Sequence, residues 1–257
     1  CACRGTAGFA HVSCLAEQAK ILVAEGEENN LGPKALTERW TRWYTCSLCE
    51  QDYHGAVGCA LGWACWKTYL GRPEGDDVRS MAMTELGNGL HNVFQHEGSL
   101  TVREAELSMR QRHDDSAGNI LAVQGNLANT YQKLRRLEDA MRMKRDVYSG
   151  NMKLHGEEHR STIIAANNYA SSLIDLQHFE EAKALLRKTI PVAQSILGDS
   201  NNATLRMKWC YAWALYEDAG ATHDDLREAV TTLEGTERTA RRVLGGANPT
   251  TTGIEHE

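Results

Sequence analysis

Apolar residues recur at helical spacing through most of the chain, and no stretch alternates apolar and polar residues over the length of a strand. The apolar positions of the first segment are Leu15, Ala19, Leu22 and Val23. Their three- and four-residue spacing places them on one helical face, which predicts a helix over residues 13–25. The same reasoning applied to the whole chain predicts that helix dominates the fold.

A second apolar helix is predicted over residues 53–70, and the run Gly71-Arg72-Pro73-Glu74-Gly75 ends it. Glycine and proline so close together interrupt a helix, so the pattern predicts a domain boundary near residue 75. We therefore expect a cysteine-rich module in residues 1–52, a connecting helix and linker in residues 53–76, and helical repeats in residues 77–257.

An internal repeat organises the chain after that boundary. Asn126-Leu127-Ala128 recurs 42 residues later as Asn168-Tyr169-Ala170, and again as Cys210-Tyr211-Ala212. Glu138-Asp139-Ala140 recurs at the same interval as Glu180-Glu181-Ala182. An earlier copy, 41 residues ahead of Leu127-Ala128-Asn129, is Leu86-Gly87-Asn88. A period of this length is typical of stacked helix pairs, each of which cannot bury its apolar face alone.

Small residues at the repeated positions permit close approach of the paired helices. They are Ala128, Ala140, Ala170, Ala182 and Ala212. The pattern predicts an all-α fold, a superhelix of antiparallel helix pairs.

The copy from Thr162 to Ala203 resembles the tetratricopeptide repeats of the kinesin light chain type. It has an Asn-Asn-aromatic-Ala helix, a short turn, a Phe-Glu-Glu-Ala helix and then Leu-Gly-Asp. The resemblance covers about residues 77–250. It implies that the first helix of each pair lines a concave face that receives an extended peptide or a partner helix.

The resemblance assigns candidate partner-binding residues to that face. They are Asn126, Asn129, Lys133, Asn167, Asn168, Ser171, Arg206, Trp209 and Trp213, and the same register adds Gly125, Asp175 and Glu217. An amide suits peptide binding because it offers a donor and an acceptor together. Two alternatives stay open: the asparagines could join neighbouring helices, and the two tryptophans could belong to the core.

Composition narrows the function classes. The net charge of −6 argues against a nucleic-acid-binding protein, because phosphate binding needs a basic surface. No run of eighteen apolar residues is present, so no membrane span is expected. No glycine-rich phosphate loop or nucleophile elbow occurs, and we assign no catalytic residue.

Cysteine and histidine pairs in the first 49 residues predict a zinc module. The pairs are Cys1-x-Cys3, His11-x-x-Cys14 and Cys46-x-x-Cys49. Thiolate and imidazole groups at this spacing can reach one tetrahedral Zn²⁺ from a tight turn. Alternatives are a redox pair, disfavoured because no βαβ pattern surrounds it, and a disulfide framework, disfavoured because nothing indicates secretion.

The spacing of these pairs resembles the RING-CH zinc finger, the RING variant of membrane-associated ubiquitin ligases. That family has eight ligands, so we expect a fragment that lacks the first ligand pair. Its cross-braced arrangement implies that Cys1, Cys3, Cys46 and Cys49 share one zinc ion. The second site would then retain only His11 and Cys14.

The resemblance implies a RING-type ubiquitin-protein ligase that holds a ubiquitin-conjugating enzyme while the repeats recruit a partner protein. The alternative function is a non-catalytic scaffold in which the zinc module caps the repeats, and a third is a zinc-free relic. Reduced thiols with metal spacing indicate a cytoplasmic or nuclear protein. The last repeat, closed by Leu244-Gly245-Gly246, is followed by what looks like the start of another, so we expect a frayed C-terminus.

Overall fold

The structure, a computed structural model, describes residues 10–245, 251, 253 and 254. Those residues form eleven α-helices. They are α1 Val12–Glu28, α2 Pro33–Trp40, α3 Gly55–Tyr69, α4 Asp77–Asn92, α5 His96–Arg112, α6 Ala117–Lys133, α7 Leu137–His155, α8 Arg160–Asp175, α9 Phe179–Leu197, α10 Asn202–Tyr216 and α11 His223–Leu244. The all-α prediction is confirmed. Within the described ranges, β pairing is limited to one isolated bridge between Thr45 and Asp52.

Both helices predicted ahead of residue 75 are present, as α1 and α3. Between them, Pro33 occupies the first turn of α2, where its missing N–H has no intrahelical partner to lose. A 3₁₀ turn, Thr41–Trp43, continues α2. The rings of Trp40, Trp43 and Tyr69 lie 5.5–6.4 Å apart and form an aromatic core beneath α1 and α3.

Helices α3 and α4 pack together tightly on either side of the glycine- and proline-containing linker. The two helices approach each other closely at Gly62 of α3, where an added Cβ atom would lie 2.7 Å from the carbonyl oxygen of Glu85 in α4. The chain divides instead into two compact units, Cys1–Leu134 and Arg135–Glu257. The break near residue 75 is therefore a turn inside the first unit, whereas the sequence predicts a domain boundary there.

The repeat period is visible in how the helices end. Gly156, Gly198 and Gly245 follow α7, α9 and α11 with φ angles of 83°, 91° and 83°, a region that glycine adopts without a Cβ penalty. Within two of the helix pairs, the second residue after the first helix has φ near 60°: Phe94 at 63° after α4 and Gln177 at 61° after α8. The α4–α5 and α8–α9 pairs thus share the same backbone turn.

The small residues of the repeat are buried as expected. Ala128, Ala140, Ala170, Ala182 and Ala212 each have no exposed surface. In the second unit, larger apolar side chains fill the space between helices α8, α9 and α10. Its core includes Leu173, Leu186, Met207 and Leu215. None of the described helices is long and apolar enough to cross a membrane.

Candidate functional site

Cys46 and Cys49 lie on a tight turn between the 3₁₀ turn and α3. The turn is closed by hydrogen bonds from Cys46 N to Gln51 O at 2.9 Å and from Glu50 N to Cys46 O at 3.0 Å. Glu50 has a φ of 55°, which turns the chain back on itself. Main-chain N–H groups of Leu48 and Cys49 point at the Cys46 sulfur and lower its pKa to about 7. Such donors favour the thiolate, the form that binds metal.

The first-unit candidates His11 and Cys14 lie at the start of α1 and are exposed. The adjacent Val12 and Leu15 pack against the small core that contains Cys46, so the start of α1 and the cysteine turn share a core. Cys1 and Cys3 lie outside the described residues. Within the described part, no three His, Cys, Asp or Glu side chains are grouped as a metal site.

A cleft of about 590 Å³ opens in the first unit beside the cysteine turn. One wall is aromatic and contains Trp40, Tyr44 and Tyr53. The facing wall is formed by α4, which contributes Glu85 and Asn88. The other lining residues are Thr37, Asp52, His54, Met81, Thr84, His91, Asn92 and Arg103. The cleft therefore combines aromatic rings with carboxylates and amides.

Glu85 is the central charged group of this cleft. Its Oε1 accepts a hydrogen bond from the indole nitrogen of Trp40 at 3.2 Å. Burial raises the pKa of the Glu85 carboxyl to about 7, and the neighbouring carboxylates of Asp52 and Glu106 raise it further. No ion pair to Glu85 forms within the residues that the structure describes. An uncompensated carboxyl of this kind in a cleft is a recognised mark of a functional site.

A buried polar network supports the α4 wall from behind. Arg103 of α5 donates to Asn88 Oδ1 at 2.8 Å and also to the Asn126 carbonyl oxygen and Thr130 Oγ1. Glu106 accepts hydrogen bonds from Thr84 at 2.7 Å and from Arg110. Arg103 is 4% exposed and Glu106 is 1% exposed. Since these groups are paired, the network fixes the orientation of α4 relative to α5 and α6.

The candidate residues of α6 are accessible in part. Asn126 and Asn129 are half-buried, and Lys133 is exposed at the end of the helix. The main-chain oxygen of Asn126 accepts the hydrogen bond from Arg103. Asn126 thus takes part in joining helices through its backbone, and the use of its side chain in partner binding stays a prediction.

In the second unit, the two adjacent asparagines of α8 differ. Asn167 is 3% exposed, and its Oδ1 has no hydrogen-bond partner among the described residues. Asn168 and Ser171 are half-buried, and Arg206 of α10 is exposed. Tyr169 stacks on Tyr148 at 6.3 Å. The accessible polar candidates on these two helices therefore include Asn168, Ser171, Asp175 and Arg206.

The two tryptophans of α10 stack on each other with centroids 6.0 Å apart. Trp209 packs beside the buried residues Leu205, Ala240 and Ile254. Gly253 approaches its ring so closely that a Cβ atom would lie 2.8 Å away. Trp213 packs against the core of the second unit. This placement corresponds to the core alternative that the sequence leaves open for both residues.

Sequence reasoning missed the cleft, although the repeat register contains a signal for it. The candidate face of α6 consists of Gly125, Asn126, Asn129 and Lys133. The residues 41 positions earlier in the chain are Thr84, Glu85, Asn88 and Asn92. All four line the cleft. Extending the register to the earlier copy of the repeat would have selected this face of α4. The aromatic wall could not be found that way, because it comes from outside the repeats.

Comparison with known proteins identifies the repeats. A family model described as tetratricopeptide repeat matches residues 119–195, and this match does not reach the cysteine-rich part. No curated protein matches the chain.

Known structures extend the similarity in fold to nearly the whole chain. Two crystal structures of a kinesin light chain with nearly identical TPR-like repeats from Podosopora anserina have TM-scores of 0.59 and 0.57 at 16% and 17% identity. They cover 92% and 91% of this chain and 99% and 98% of theirs. BtubC (BKLC) from P. vanneervenii has a TM-score of 0.63 at 13% identity, covering 94% of this chain and 95% of its own. Residues 119–195 are thus tetratricopeptide repeats, and the all-α fold of the chain is similar to that of kinesin light chain-type repeat proteins.

Proposed function

We propose that this chain is a non-catalytic protein-interaction scaffold whose tetratricopeptide repeats bind a partner protein or peptide. The match of residues 119–195 to the tetratricopeptide family carries the proposal. Repeats of this kind form concave binding surfaces, and the accessible candidates on α6 and α8 include Asn129 and Ser171.

The test compares partner capture by two variants of equal fold. Asn129→Ala combined with Ser171→Ala and Arg206→Ala removes polar groups from the candidate faces of α6, α8 and α10. The control combines Arg142→Ala with Lys188→Ala, two exposed cations on the second helices α7 and α9. We expect proteins captured by the native chain to be lost from the first variant and retained by the control. Equal capture by both variants would contradict the assignment of these faces.

We also propose that Cys46 and Cys49 bind a structural zinc ion together with Cys1 and Cys3. The observation that supports it is the turn that directs the N–H groups of Leu48 and Cys49 at the Cys46 sulfur. Zinc would supply a closed, structural crosslink between the start of the chain and the turn. His11 and Cys14 remain candidates for a second site.

Metal analysis tests this assignment directly. The native protein is expected to contain at least one equivalent of zinc, and Cys46→Ser is expected to lose it. Cys59→Ser is the matched control, since Cys59 lies on α3 and belongs to none of the predicted ligand pairs. A native content below about half an equivalent would exclude the zinc module as described.

A RING-type ubiquitin-protein ligase is the second candidate function, and the cysteine turn is the observation that supports it. Such a ligase needs no nucleophile, because it acts by positioning the thioester of the conjugating enzyme. Autoubiquitination with a panel of conjugating enzymes tests the idea, and silence across the panel would count against it. A cytoplasmic or nuclear location is proposed with either function.

A further inference from the structure

The cleft beside the cysteine turn contains two acidic side chains. Glu85 and Asp52 both line it, and no cationic side chain pairs with either within the described residues. Among the described residues, the Glu85 carboxyl accepts a hydrogen bond from the Trp40 indole N–H alone, and Asp52 accepts one from the Thr45 hydroxyl at 3.1 Å. Both retain oxygen lone pairs that could accept further hydrogen bonds.

The basic side chains that line the cleft, Arg103 and His91, form no ion pair with these acids among the described residues. The Arg103 guanidinium is already hydrogen-bonded to Asn88, to the main chain of Asn126 and to Thr130. Burial lowers the pKa of His91 to about 4, so its ring is neutral at pH 7. Glu85 and Asp52 therefore have no ion-pair partner among the described residues that line the cleft.

The aromatic wall suits a cation with an apolar stem. Trp40, Tyr44 and Tyr53 line the cleft, and aromatic rings attract ammonium and guanidinium groups. Aliphatic segments pack favourably on the same surfaces. Metal ions lack such a stem, so the wall favours an organic cation.

Amide groups beside the acids suit a peptide backbone. Asn88 uses its oxygen for Arg103, which leaves its amide N–H groups as donors. Asn92 lies one helical turn further along α4, also at the cleft. Both occupy the register that corresponds to Asn129 and Lys133 of α6, the face assigned to partner binding.

We propose that this cleft binds a lysine or arginine side chain of a partner protein, with the cation at Glu85 and Asp52 and the stem against the aromatic wall. The proposal rests on the proposed interaction function and names the chemistry of one contact. It can fail while the repeats still bind a partner elsewhere, so it is tested with small probes.

The Trp40 indole N–H signal in ¹H–¹⁵N NMR spectra of the intact chain reports on the site directly, because this group donates to Glu85. The chain has six tryptophans, and Trp40→Phe assigns the signal. We expect n-butylammonium to shift the signal saturably, whereas n-butanol at the same concentration should not. No shift with the amine, or an equal shift with the alcohol, would overturn the proposal.

Variants test whether the Glu85 carboxyl binds the cation. Glu85→Gln keeps the shape of the side chain and is expected to weaken n-butylammonium binding at least tenfold. Glu38→Gln is the matched control, because Glu38 is an exposed acid of α2 close to Trp40 in sequence, and it should leave binding unchanged. Equal weakening in both variants, or in neither, would contradict a role for Glu85.

Blocked peptides distinguish a partner side chain from a free small cation. Acetyl-Ala-Lys-Ala-amide is expected to bind at least threefold more tightly than n-butylammonium, since Asn88 and Asn92 can also contact its backbone. The norleucine analogue should show no binding. If the free amine binds as well as the peptide, the cleft takes a small cation and the side-chain assignment is wrong.

Discussion

A Cβ atom built on Gly89 of α4 would lie 2.9 Å from the Cα atom of Cys59 of α3. The same crossing brings a Cβ atom at Gly62 within 2.7 Å of the Glu85 carbonyl oxygen. Backbone atoms cannot move aside as a flexible side chain can, so both positions require glycine. The crossing also holds Glu85 at the wall of the acidic and aromatic cleft.

The first prediction concerns this crossing. Gly89→Ala is expected to destabilise the protein by about 1–3 kcal/mol, because separating the helices costs more than the roughly 1 kcal/mol that alanine adds in helix propensity. Gly98→Ala on α5 is the control, since its nearest neighbours are Leu90 methyl groups at 3.6 and 3.9 Å. The control should be neutral or stabilising. Urea unfolding measures both, and equal effects would contradict the close approach.

Arg103 provides the second prediction. Arg103→Ala leaves Asn88, the Asn126 carbonyl and Thr130 without their buried donor, so we expect a loss of roughly 2–5 kcal/mol. Arg112→Ala removes the same residue type from the same helix, but its ion pair with Glu74 is exposed at 61% and 48%. That change should stay within about 0.5–1 kcal/mol. Similar denaturant midpoints for the two variants would show that the network contributes little.

The repeats could be predicted because their physical requirements recur in the sequence. Close helix packing demands a small residue at the same place in each copy, and all five of those alanines are buried. A left-handed backbone at a helix end favours glycine, as at Gly156 and Gly198. Cys46 and Cys49 were also recognisable, because their two-residue spacing predicts a turn.

Buried charges could not be found from the pattern. Arginine and glutamate are residue types that are rarely buried, yet the structure buries Arg103, Glu106 and Arg110 of α5. Their burial depends on partners from α4 and α6, which periodicity does not reveal. The cleft was missed for a similar reason, since Trp40 and Glu85 are 45 residues apart and meet only through tertiary packing.

The third prediction concerns the cover over Trp209. Ile254 is 4% exposed and packs beside Leu205 and Trp209. Ile254→Ala should cost about 2–4 kcal/mol by opening a cavity there. Val243→Ala is the control, because Val243 is 49% exposed, and it should change stability by less than about 1 kcal/mol. Trp fluorescence during unfolding measures both, and equal small effects would show that residue 254 does not cover the tryptophan.

The fourth prediction is a pH dependence of stability from Glu85. Its pKa is raised to about 7 in the folded protein, chiefly by burial and then by Asp52 and Glu106, while the Trp40 donor opposes the rise. Cys65 and Tyr44 also interact electrostatically with Glu85, and His91 and Arg103 line the same cleft.

The folded protein holds the Glu85 proton more tightly than the unfolded chain does, so stability should decrease as the pH rises. Below about pH 4.5 the Glu85 carboxyl is protonated in both the folded and the unfolded state, and its contribution to stability is complete. As pH rises from 4.5 to 7 the unfolded chain releases the proton first, so stability should fall by about 1–3 kcal/mol relative to Glu85→Gln. Urea unfolding across pH 4–8 measures the difference between the two proteins. Glu38→Gln should follow the native curve, and parallel curves for native protein and Glu85→Gln would contradict the raised pKa.

A saturating organic cation bound at the cleft should reduce this loss of stability at pH 7, because it stabilises the ionised Glu85 carboxylate in the folded state.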